Sequence, residues 1–83
     1  MSKGRLLPKD FGDRLRKARM MRGLSQNKLA KVAGISHSLI SRYEAGIRQP
    51  TLRTFRMMCV RMHVSADYLL GLSIEYKGET EDG

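Results

Sequence analysis

The sequence predicts an all-α domain of five short helices. Three observations carry that expectation. Apolar residues recur at helical spacing in five separate stretches, and no stretch shows the alternation a strand needs. Each stretch follows a polar residue able to cap a helix, and Gly23, Gly34, Gly46 and Gly71 close four of the five. The 83 residues are enough for one small domain, which buries only about 60% of the surface its unfolded chain would expose.

Residues 1–10 read as a basic arm, with Lys3, Arg5 and Lys9 interleaved with Gly4 and Pro8. Asp10 is expected to cap a first helix running from Phe11 to Arg22. Phe11, Leu15 and Ala18 fall on its inner face and Arg14, Arg16 and Lys17 fall outside. Ser25 caps a second helix from Gln26 to Ala33, with Leu29, Ala30 and Val32 inward. Ser36 caps a third from His37 to Ala45. Thr51, after Pro50, opens a fourth helix with an apolar stripe of Leu52, Phe55, Met58, Cys59 and Met62. Ser65 caps a short fifth helix through Leu70, and Asp67 sits near its positive end. The domain therefore spans 11–72. Residues 73–83 are polar, acidic and glycine-containing, and are expected to be a flexible tail.

The second and third helices, joined through Gly34, form a helix-turn-helix, the smallest unit that sets one helix rigidly across another and offers it to DNA. Ala30 allows a close crossing, Gly34 supplies a left-handed turn and Ile35 plugs the space beneath it. At about 100° per residue, His37, Ser38, Ser41, Arg42 and Ala45 of the third helix share one arc of about 140°. Leu39, Ile40 and Tyr43 lie opposite, with Glu44 at the edge. One face is apolar and the other is short, polar and hydrogen-bonding. That outer face suits a helix in the major groove, and equally a solvated surface.

Charge points the same way. Up to Leu72 fifteen basic residues face only Asp10, Asp13, Glu44 and Asp67, a surplus of eleven positive charges, whereas the last eleven residues carry a net −3. A basic body with an acidic end suits a polyanionic partner. Other chemistries find little support. Cys59 and His63 share a helix face, but zinc normally takes four ligands. No glycine-rich phosphate cradle, nucleophile–base pair or aromatic platform for single strands stands out, so neither an enzyme nor a cofactor or small-molecule ligand is expected. The aromatic residues Phe11, Tyr43, Phe55 and Tyr68 are expected in the core. A lone cysteine and the lack of a signal-like or membrane-length apolar run suggest a cytoplasmic protein.

From Leu15 to Leu72 the chain resembles the helix-turn-helix domain of Cro/cI-type (XRE family) repressors. The matching residues are Leu15, Arg16 and Arg19; Gly23-Leu24-Ser25-Gln26; Leu29-Ala30; Ala33-Gly34-Ile35-Ser36; Ile40, Ser41, Tyr43, Glu44 and Gly46; Pro50; and Val64, Ser65, Asp67 and Leu69-Leu70-Gly71. The resemblance implies a lambda-repressor-like five-helix fold and a DNA-binding transcriptional regulator, a repressor, acting as a homodimer on a pseudo-palindromic duplex. It implies base reading by His37, Ser38, Ser41 and Arg42, and phosphate contacts by Gln26, Asn27, Ser36 and Arg48. It also implies an ion pair of Arg19 with Glu44. His37 is left with three roles: reading a guanine, touching a phosphate, or making a pH-dependent contact. The same fold serves antitoxin subunits and co-activators, so a protein-interaction module is the alternative. His63 departs from the family, which often has glycine there. It must take an unusual backbone angle, or the helix must run on. Met57, Met58 and Met62 make the core softer than leucine and isoleucine would.

Overall fold

The computed structural model describes residues 7–76, and these form five helices: α1 (Phe11–Met21), α2 (Gln26–Ala33), α3 (His37–Ala45), α4 (Leu52–Met62) and α5 (Ala66–Leu69). The arm residues Lys3 and Arg5, and the tail from Lys77 onward, lie outside the described residues. Each helix gives the core one large, fully buried side chain: Leu15, Leu29, Ile40, Met58 and Leu69 in chain order. Around these pack Phe11, Tyr43, Phe55, Met62, Val64 and Tyr68. In this core α1 lies against α3 and α5, and α2 lies against α3 and α4.

Four helices begin with a hydroxyl cap. Ser25, Ser36, Thr51 and Ser65 have extended backbones, and each side chain accepts a hydrogen bond from an N–H of the first turn. Such a cap is worth about 1 kcal/mol. Asp10 is the exception. Its backbone (φ −93°, ψ 20°) is not extended and its carboxylate makes no cap bond. That carboxylate instead accepts from Arg14 Nε at 3.0 Å, while Phe11 N–H donates to the Pro8 carbonyl.

Two apolar assignments and two helix ends are corrected. Val32 is exposed and Ala33 is buried with Leu29 and Ala30, because Val32 lies about 110° from the centre of that arc. Leu52 is expected in the apolar stripe of α4 but is 81% exposed, because it lies about 90° from the centre of the arc of Phe55, Met58 and Met62. Helix α1 stops at Met21 and α5 at Leu69, with Arg22 and Leu70 as the closing caps. The methionine reading fares better: Met58 and Met62 are buried and Met57 packs against the core.

His63 takes the left-handed conformation (φ 56°) and ends α4, so the helix does not run on. The start of the tail makes contacts with the domain. Ser65 N–H donates to the Tyr76 carbonyl at 2.8 Å. The Tyr76 ring meets Tyr68 edge-on at 6.5 Å, and the Arg22 guanidinium lies 5.4 Å from its centre. Residues 73–76 therefore return across α5.

Candidate nucleic-acid interface

The α2–α3 unit is fixed at every joint. Gly34 sits at φ 73° and closes α2, and Ile35 N–H donates back to the Ala30 carbonyl at 3.0 Å. Ser36 then starts α3, its hydroxyl accepting from Leu39 N–H at 3.2 Å. Ile40 and Tyr43 anchor the inner face of α3 in the core, while Leu39 is half-buried. His37, Ser38, Ser41 and Arg42 are all exposed on the other side. Ser36, Asn27 and Arg48 are exposed too, and Gln26 is half-buried between the two helix starts.

Behind this face lies a polar chain that spans three helices. Arg19 of α1 donates to Glu44 of α3 through two nitrogens, at 2.6 and 3.1 Å, and through a third to the Leu24 carbonyl at 2.8 Å. The side chains of this pair are only 10% and 5% exposed. Glu44 also accepts from Gln26 Nε2 at 3.0 Å, and Gln26 Oε1 lies 3.0 Å from His37 Nε2. A planar guanidinium gripping a carboxylate on two atoms fixes angle as well as distance. The tilt of α3 is thus referred to α1, and the start of α3 to the start of α2.

Two further supports escaped sequence reasoning. Gly12 packs against the end of α3, where a β-carbon would collide with the backbone carbonyls of Tyr43 and Glu44. The available signal was a glycine inside a helical pattern, which lowers helix stability and calls for a packing reason. The second is the tie that Tyr43, already expected in the core, makes to Arg48 and Thr54. Burial raises its hydroxyl pKa, with Arg48 and a hydrogen bond to Thr54 pulling the other way. Tyr43 therefore brings Arg48 and α4 to the end of the presented helix.

Other candidates do not join this site. Arg14 donates to Asp10 and to the Tyr68 carbonyl and lies over the Tyr68 ring at 5.2 Å, so its charge is engaged on the far side. Burial pushes the Cys59 thiol up to about 11. No group of three or more His, Cys, Asp or Glu side chains suited to a metal ion occurs among the described residues. No helix among them is long and apolar enough to cross a membrane.

Known proteins share the helix-turn-helix domain and its fold. The HTH_3 helix-turn-helix family model matches residues 15–69. An SPbeta prophage-derived HTH-type transcriptional regulator of Bacillus subtilis, YonR, is 38% identical over 60 residues, covering 72% of this chain and 56% of its own. A second HTH-type transcriptional regulator of that species, YqaE, is 33% identical over 72 residues, covering 87% and 57%. The chain thus spans little more than half the length of these curated relatives. Among solved structures, the restriction-modification controller protein of Aeromonas hydrophila superposes with a TM-score of 0.70 at 31% identity, covering 74% of this chain and 92% of that one. The P22 c2 repressor in complex with a synthetic operator gives 0.72 at 27% identity, covering 80% and 100%.

Proposed function

The chain belongs to the HTH_3 helix-turn-helix family, of the Cro/cI type, and we propose that it is a sequence-specific, double-stranded DNA-binding transcriptional regulator acting as a repressor. One observation carries this reading: a short, polar, exposed helix face held from behind by a buried ion pair and a hydrogen-bond chain. In this reading α3 enters the major groove. Arg42 bonds a guanine through O6 and N7, while His37, Ser38 and Ser41 complete the base contacts. Gln26, Asn27, Ser36 and Arg48 bind phosphates, which set register without carrying sequence information.

The regulator works in the cytoplasm as a homodimer on a pseudo-palindrome, with half-sites about 34 Å apart or a multiple of that. Exposed Ile47 and Leu52, at the two ends of the α3–α4 connection, support a further protein contact. The alternative, an interaction module, predicts that this apolar region matters and the α3 face does not.

Selection from random duplex DNA, with the mass of the complex determined, tests the reading. It should return one symmetric site bound by two chains. Arg48→Ala should weaken binding evenly on all sequences and flatten the log–log salt dependence by about one unit. Affinity that ignores salt contradicts the phosphate contacts.

A further inference from the structure

The polar chain behind α3 has a direction, and that direction reaches the exposed ring of His37. Glu44, gripped by Arg19 on two atoms, is a carboxylate with acceptors only. The Gln26 atom 3.0 Å from it must therefore be the NH2 group. That leaves the Gln26 carbonyl oxygen facing His37 Nε2 at 3.0 Å. An oxygen cannot donate, so Nε2 carries the proton. The other tautomer would require the Gln26 amide to flip and set its oxygen against the carboxylate, two acceptors at hydrogen-bond distance. Nδ1 has no hydrogen-bond partner among the described residues, and His37 is exposed.

We infer that the Arg19–Glu44–Gln26 chain locks neutral His37 as its Nε2–H tautomer, so that His37 offers Nδ1 to DNA as an acceptor and reads an exocyclic amino group. This rests on the DNA-binding reading and narrows it. In the major groove the amino donors are adenine N6 and cytosine N4, whereas guanine N7 and O6 and the phosphate oxygens only accept. Neutral His37 can satisfy the first pair and none of the second. The amino contact belongs to the neutral ring, because a ring with a proton on both nitrogens has no acceptor to offer.

The test has one arm without DNA and one with it. Nitrogen-15 correlation spectra of the free protein above pH 8, with the signal identified by His37→Gln, should show a single Nε2–H tautomer. Gln26→Ala should return the ring to a mixture. An Nδ1–H ring, or a ring indifferent to Gln26→Ala, overturns the lock. On the selected operator, the position whose preference His37→Ala removes is then synthesised without its amino group, purine replacing adenine or 2-pyrimidinone replacing cytosine. Wild-type affinity should fall about 2- to 10-fold, the worth of one hydrogen bond, and the loss should vanish in His37→Ala. An unchanged affinity, or a loss on 7-deazaguanine instead, overturns the amino-group reading. Failure to bind any duplex defeats the proposed function and this reading together, while the free-protein spectra still judge the lock.

Discussion

The two sides of the domain use arginine in different ways. Behind α3, Arg19 is buried, spends three nitrogens on defined acceptors and grips Glu44 in a fixed plane. Across α5, Arg14 and Arg22 are only half-buried and lie over the rings of Tyr68 and Tyr76, each also donating to a backbone carbonyl. The first arrangement fixes the angle of a helix. The second closes the edge of a core and leaves helix angles to apolar packing. A guanidinium–carboxylate plane tolerates little rotation, whereas a cation over a ring tolerates sliding. Orientation is thus enforced where the presented face needs it.

Breaking the first side should have the larger effect. Arg19→Ala leaves the Glu44 carboxylate buried without its cation, which costs about 3–5 kcal/mol when one partner of a buried pair is removed. Thermal melts should show a large drop in midpoint, and an unchanged midpoint would dispose of the tie between α1 and α3. Tyr76→Ala probes the other side. It removes an edge-on ring contact and a partly exposed cation–π contact, together about 1–2 kcal/mol. Urea melts should show that loss with DNA affinity retained; a loss of affinity at unchanged stability would refute the division between the two sides.

The smallest effect lies at high pH. Burial raises the Cys59 thiol from its ordinary 9.0 to about 11. The folded state therefore keeps a proton that the unfolded chain gives up. The contribution is complete below pH 9 and is lost as pH rises toward 11. Urea midpoints should decline over that window, and Cys59→Ala should decline less. Equal slopes would show that the thiol is as solvated in the fold as in the unfolded chain. Buried Tyr43 acts in the same sense in both proteins, so the difference isolates the cysteine.

These two sides also differ in how far the sequence discloses them. The α2–α3 boundaries follow from Ser25, Gly34, Ser36 and Gly46, because caps and left-handed turns are local chemistry written in single residues. The exposed arc of α3 follows from rotation alone. Asp10 failed as a cap because its backbone angle, set by the turn through Pro8, took the carboxylate out of reach. Leu52 and Val32 were misplaced because each lies about 90–110° from the centre of its helix's buried arc, where spacing alone does not separate the core from its edge. The return of residues 73–76 was hidden, since it depends on Tyr68 and Arg22, which are distant in sequence and meet Tyr76 only in the fold. Gly12 and the link from Gln26 to Glu44 were missed for the same reason.

The central claim is that the outward face of α3 reads sequence, and Arg42→Ala tests it most directly. Binding should be measured on the selected operator, on operators changed one base pair at a time, and on unrelated duplex at fixed salt. Affinity for the operator should fall about 5- to 150-fold, the worth of one bidentate arginine–guanine contact, with preference relaxed at one or two base pairs and unrelated DNA little affected. An equal loss on every duplex would make Arg42 a phosphate contact and contradict the account.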